Sequence, residues 1–280
     1  MIIIDGKKVS EHIKENIKKE ISILKTKPYL VVLQIGNDTA SSIYVRNKEK
    51  AAKELGIDFK HIKFDEDTKE EKIIKEIEKL NNDIKVSGII MQLPIPKNYN
   101  VNKIINSIDS NKDVDGLTYK NMGKLSYDDD GLFSCTSSGI MELLNYYKID
   151  LEGKNVAIIG RSNLVGKPLF NLMINSNATV TLCHSKTVNL KSITKKADIV
   201  VVAVGKAKFL TKDMISKNCI VIDVGINRID NKLYGDTDFD KIKNKTSYIT
   251  PVPGGVGPMT VTMLMKNTLK AYYLNKISKK

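Results

Sequence analysis

The chain has 280 residues, 41% of them hydrophobic, with 45 Lys and Arg against 32 Asp and Glu for a formal charge of +13; this suffices for one large or two modest cores and excludes a disordered tail. Lysine carries nearly all the positive charge and no basic run is interleaved with aromatics, which argues against nucleic acid as a partner. Cys135, Cys183 and Cys219 form no CxxC pair and the three histidines no metal-ligand spacing, so no metal is expected and a reduced, cytoplasmic compartment fits; the first apolar run is too short for a signal peptide and "DIVVVAV" too short for a bilayer.

After an opening helix, "LVVLQIG" reads as a buried strand and "SSIYVRNKEKAAKELG" (41–56) as a helix, with Thr39 or Ser41 placed to cap its start and Gly56 to end it. At about 100° per residue, Tyr44, Lys48, Ala51, Ala52 and Leu55 share one face, which threads a lysine into an apolar stripe. "IDFKHIKF" alternates like a strand, 68–81 is a charged helix, "VSGIIMQLP" an apolar strand and 102–108 a short helix; "DSNKDVDGLTYKNMGKL" reads as irregular. A break at 127–134 precedes a bridging helix, "TSSGIMELLNYYKI", and a second βαβ series with strands at 156–159, 179–183, 199–204 and 220–224. The tail "PMTVTMLMKNTLKAYYLNKI" reads as one long helix. The expected fold class is therefore α/β, with two βαβ domains of which the second is Rossmann-like. In such sheets ligands gather at the carboxyl ends of strands, which picks out "GNDTASS" and "QLPIP".

"VAIIGRSNLVGKPL" sets a strand against a glycine turn and a helix, so Gly160 and Gly166 bracket N–H groups that would hold phosphate. The spacing is GxSxxxG rather than GxGxxG, and an ordinary strand-to-helix turn reads the same way. The next strand ends "TVTLCHSKT", where an NAD-preferring domain presents an acid to the ribose 2′-hydroxyl; His184, Ser185 and Lys186 stand there instead, with Arg161 in the glycine loop, and this favours NADP. His184 taken alone would equally cap a turn. In the first half, Lys48 with Tyr44 one turn before it, Gln92 at a strand end, and Asp113 and Asp115 of "KDVDG" carry the polar chemistry. Each also has a structural alternative: a snorkelling lysine, a strand cap, an Asx turn before Gly116. The YxxxK pair of short-chain dehydrogenases follows the glycine-rich loop, whereas here it precedes it in another domain, so that reading fails.

"ASSIYVRNKEKAAKELGI", "SGIIMQLPIP", "KDVDGLT", "GRSNLVGKPL", "CHSKT", "VIDVGIN" and "TPVPGGVGPMTVTML" together resemble, in order and nearly end to end, the bifunctional methylenetetrahydrofolate dehydrogenase and methenyltetrahydrofolate cyclohydrolase family. The resemblance implies a folate-binding catalytic domain at 1–135, with the last helix, about 260–280, packing back on it, and an NADP-binding Rossmann-like domain at 136–259, the two enclosing a cleft. It implies oxidation of 5,10-methylenetetrahydrofolate with NADP, hydrolysis of the methenyl product to 10-formyltetrahydrofolate, no metal, and a cytoplasmic homodimer with neither nucleic-acid nor membrane partner. Lys48 would assist attack of water, Tyr44 line and orient the folate, Gln92 position the lysine, and Asp115 bind the amino-pyrimidine edge. Leu93 and the loop Pro253, Gly254, Gly255, Val256 and Gly257 would face the substrate. Gly160, Arg161, Ser162 and Gly166 would meet the phosphates and ribose, His184 and Ser185 the 2′-phosphate, and Ile226 the nicotinamide end. The excess lysines would also attract polyglutamylated folate. Ser134, Ser137 and Ala207 replace prolines usual in the family and Thr237 a valine. Another NADP-dependent dehydrogenase, or a non-catalytic NADP-binding module, would leave QLP, DVDG and PGGVG without a role.

Overall fold

In a computed structural model, which describes residues 1–230 and 232–277, the chain divides into two compact units: residues 13–135 with the chain from Val261 onward, and residues 1–12 with 136–260. The boundaries fall within α1 (Gly6–Ser22), at the start of α6 (Cys135–Tyr146) and within α10 (Val256–Ile277).

The unit of 13–135 is built on a parallel sheet of order β3-β2-β4, from β2 (Tyr29–Ile35), β3 (Asp58–Phe64) and β4 (Gly88–Met91). β2 is central and buried on both faces, which is why its sequence is a continuous apolar run, whereas β3 lies at the edge and alternates. Between them α2 (Thr39–Leu55) is capped by Asp38, whose carboxylate accepts the Ser41 N–H at 2.7 Å, and ends on Gly56 at φ +80°. Asp38 therefore replaces the expected Thr39 or Ser41 cap: one residue earlier, its carboxylate reaches the third N–H of the helix. α3 (Glu70–Asn82) buries Ile73, Ile77 and Leu80 at helical spacing against Val31, Leu33 and Ile89 of the sheet. α4 (Val101–Asn106) follows, and the stretch read as irregular contains α5 (Tyr119–Ser126), whose start is capped by Thr118.

The other unit holds a parallel sheet of order β1-β11-β8-β7-β5-β6. Its strands are β1 (Ile2–Ile3), β5 (Asn155–Ile159), β6 (Thr179–Cys183), β7 (Ile199–Val202), β8 (Cys219–Asp223) and β11 (Thr246–Ile249). α7 (Gly166–Asn175) links β5 to β6, α8 (Leu190–Lys196) links β6 to β7, and the hairpin β9 (Asn227–Ile229)–β10 (Lys232–Tyr234) and α9 (Phe239–Ile242) lie between β8 and β11. Strand order reverses at β5, whose neighbours are β6 and β7, and such a switch point is where a doubly wound sheet takes its ligand. Residues 1–12 pack within this unit. β1 pairs with β11 in the register Ile2↔Tyr248, and Gly6 donates to Gly254 O at 2.9 Å. A Cβ on Gly6 would stand 1.8 Å from Gly255 O, so only glycine fits. Among the described residues no helix is long and apolar enough to cross a membrane.

Candidate active site

Lys48 and Gln92 come together at the carboxyl edge of the three-stranded sheet. Lys48 lies on the core-facing side of α2 with Val45, Ala52 and Leu55, which are 2%, 0% and 3% exposed. Tyr44, expected on that stripe, is 51% exposed; the buried spacing runs 45, 48, 52, 55 and leaves Tyr44 on the rim beside it. Gln92 follows the end of β4, is 5% exposed, and is anchored by its N–H to Leu33 O at 2.8 Å. Its Nε2 donates to Leu93 O, which turns Oε1 to accept Lys48 Nζ at 2.5 Å. Burial holds the Lys48 ammonium below the ordinary lysine range, with Asp115 opposing this. Leu93 is half-buried against the core below.

The two acids of KDVDG divide the labour. Asp113, 1% exposed, makes the turn: Oδ1 accepts Gly116 N–H, and Oδ2 accepts Thr118 N–H and Asn121 Nδ2. Asp115 is left to face Lys48 and Cys135, and burial pushes its carboxyl up against the pull of Lys48. Lys112 also leaves the site, donating from Nζ to the carbonyls of Leu80, Asn81 and Asp83 at the end of α3.

Two residues here were not anticipated. Cys135, 1% exposed, hydrogen-bonds Asp115 and reaches Val114 O at 3.3 Å, and burial among these groups raises its thiol well above the usual range. Asn267 of α10 donates from Nδ2 to Val114 O and Phe133 O, both at 2.9 Å, which pins the segments on either side of Asp115 and Cys135. Nothing in the sequence singles out either residue: Cys135 lies in no metal or redox spacing, and Asn267 is one polar residue among several on the last helix. A cavity of about 670 Å³ in this unit, lined by Tyr29, Asp58, Tyr272 and Lys276, lies at the opposite, amino ends of β2 and β3 and includes none of these residues.

In the other unit β5 ends on Gly160 at φ +124°, where a Cβ would stand 2.3 Å from Ala203 O; a Cβ on Gly166 would stand 2.0 Å from Gly160 O. Both glycines are therefore required for the loop to pack against the end of β7 and for α7 to start beside it. Arg161 and Ser162 are exposed between them; Ser162 Oγ accepts Val165 N–H, and no side chain caps α7 from Val165. At the end of β6, His184 Nδ1 accepts Lys186 N–H at 3.1 Å, and Thr187 Oγ1 accepts His184 N–H at 2.8 Å. The imidazole thus builds the turn on which Ser185 and Lys186 are exposed. Ile226 is 54% exposed after β8. Val252–Pro253 is cis, Gly254 has φ +107°, and a Cβ on Gly257 would lie 3.7 Å from Ile226 Cδ1, so the glycine loop and Ile226 are neighbours.

Residues 4–115 match the model of the tetrahydrofolate dehydrogenase/cyclohydrolase catalytic domain, and residues 134–276 that of its NAD(P)-binding domain. The chain belongs to the tetrahydrofolate dehydrogenase/cyclohydrolase family. It is 51% identical over 275 residues, 97% of each chain, to the bifunctional protein FolD of Campylobacter hominis. The crystal structure of the FolD methylenetetrahydrofolate dehydrogenase/cyclohydrolase of Campylobacter jejuni has a TM-score of 0.97 at 43% identity, over 98% of this chain and 99% of that one. The Trypanosoma brucei enzyme complexed with NADP cofactor and inhibitor has a TM-score of 0.93 at 33% identity, over 100% and 99%. A dinucleotide fits what this family member presents at its switch point: a positive-φ glycine closing β5, a helix start without a side-chain cap, and exposed Arg161, Ser162 and Ser185.

Proposed function

We propose that the protein oxidises 5,10-methylenetetrahydrofolate to the 5,10-methenyl form with NADP and hydrolyses that product to 10-formyltetrahydrofolate. The observation that carries this reading is a half-buried lysine of depressed pKa held on the Gln92 carboxamide beside Asp115. Lys48 Nζ takes a proton from the water that attacks the methenyl carbon to give a neutral carbinolamine, and returns it to N5 as the carbon–N5 bond breaks; the hydroxyl becomes the formyl C=O by losing its remaining proton to solvent. Gln92 aims the amine, Asp115 accepts the amino-pyrimidine N–H groups, and exposed Tyr44 covers the pterin. Leu93 and the loop 253–257 supply further substrate contacts.

NADP, when bound, accepts the hydride of the one-carbon bridge. Gly160, Arg161, Ser162 and Gly166 hold its phosphates and ribose, the Arg161 guanidinium reaching with Ser185 and the His184 turn to the 2′-phosphate, and the Ile226 backbone meets the nicotinamide. The absence of an acid after β6 supports NADP over NAD. Residues 1–135, with the last helix from about 260, serve as the folate-binding catalytic domain and 136–259 as the NADP-binding one, in line with the catalytic-domain match at 4–115. The protein acts in the cytoplasm as a homodimer; three buried free cysteines suit a reducing compartment. Spectrophotometry of the purified protein with methylenetetrahydrofolate and NADP tests the reading: NADPH and the methenyl chromophore are expected, and the appearance of neither refutes it. Light scattering tests the dimer.

A further inference from the structure

Two carboxylates at the carboxyl ends of the six-stranded sheet have no part in the roles above, yet both are buried. Asp236, 0% exposed, accepts the N–H groups of Val204 and Gly205 on Oδ2 at 2.6 and 2.9 Å, and Lys206 N–H and Asn227 Nδ2 on Oδ1, both at 2.9 Å. Asp223, 1% exposed, accepts Gly225 N–H and Asp236 N–H on Oδ1, both at 2.9 Å. Its Oδ2 accepts Thr237 N–H at 2.8 Å and the Thr237 hydroxyl at 2.5 Å. All these donors are neutral. An uncompensated buried carboxylate is costly, and the charge is satisfied here by a full set of backbone, amide and hydroxyl donors.

What those donors belong to gives the pair its meaning. Val204, Gly205 and Lys206 form the loop leaving β7, next to Ala203, whose carbonyl packs on Gly160 at the switch point. Gly225 and Asn227 flank Ile226, the residue assigned to the nicotinamide end; one flank is tied to Asp223 and the other to Asp236, while the Asp236 N–H joins the two acids. The packing admits no side chain between them. A Cβ on Gly225 would stand 2.2 Å from Asp236 Oδ1, and a Cβ on Gly235 would stand 1.9 Å from Asp223 Oδ2.

We infer that Asp236, keyed to Asp223, is a positioning residue for the nicotinamide nucleotide: it fixes the loop after β7 and the backbone around Ile226 in one arrangement. The inference rests on the NADP-dependent reading above. Only a carboxylate can do this, because both oxygens must accept. An asparagine amide satisfies Val204 and Gly205 or Lys206 and Asn227, and turns its own N–H groups on the other pair. Thr237, at a position where the family usually has valine, contributes a hydroxyl donor to Asp223 in this chain.

The test uses both activities of the whole protein. In Asp236→Asn the KM for NADP should rise about tenfold with kcat for oxidation within about twofold. Hydrolysis of added methenyltetrahydrofolate, which consumes no nucleotide, should stay within about twofold of wild type. Asn227→Ala, which removes one donor at a half-buried position, should raise the same KM by a smaller factor. An unchanged KM for NADP in Asp236→Asn overturns the inference. So does a parallel loss of both activities in the two variants, which marks mere upkeep of the fold. Wild-type protein that oxidises no methylenetetrahydrofolate refutes the functional reading itself and is told apart by being the parent.

Discussion

Lys48 and Gln92 stand 44 residues apart in sequence and meet through one hydrogen bond, Nζ to Oε1, at the carboxyl edge of the three-stranded sheet. The carboxamide takes no charge from the lysine. Burial therefore sets the amine's proton affinity, and the glutamine sets its direction.

Replacing Lys48 by methionine keeps the side chain's length in its half-buried slot and removes the titratable group. Methenyl hydrolysis should fall by about 10²–10⁴-fold, with the fold retained by circular dichroism. Unchanged cyclohydrolase turnover would refute the assigned role.

Asp115 is the stronger of the influences that favour the Lys48 ammonium. Hydrolysis that needs the neutral amine rises with pH through the lysine's pKa. Removing the carboxylate in Asp115→Asn lowers that pKa further, so the rising limb of the cyclohydrolase pH profile should move to lower pH. A limb that stays in place or moves up contradicts the coupling.

Arg161 is exposed in the glycine loop, and the end of β6 offers no acid. Arg161→Ala should raise the KM for NADP about tenfold and that for NAD by less than about threefold, because only NADP carries the 2′-phosphate. Steady-state kinetics with both nucleotides decides this, and equal losses would remove the argument.

Lys112 is 5% exposed and spans three carbonyls at the end of α3. Lys112→Met strands those acceptors and should cost about 3 kcal/mol of stability, read as a lowered denaturation midpoint. A stability equal to wild type would show that water reaches the carbonyls.

What the sequence by itself determined is local or pairwise repetitive: apolar runs for the parallel strands, the 3.6-residue stripe of α2 with Gly56 to end it, and a glycine turn opening α7. These follow from backbone sterics and burial within a few residues, and they sufficed to mark Lys48 as misplaced for a solvated charge. Residues far apart in sequence were decided by the tertiary structure. Asp113 and Asp115 are chemically identical in the chain, and only the turn donors around Gly116 make one a brace and leave the other facing Lys48. β1 joins β11 because pairing across more than two hundred residues supplies hydrogen bonds that no local pattern encodes. Asn267, Cys135 and the Asp223–Asp236 pair read as unremarkable polar residues until packing closes around them; once water is excluded, each must find its partners in the fold, and those partners turn out to be the segments that carry the site.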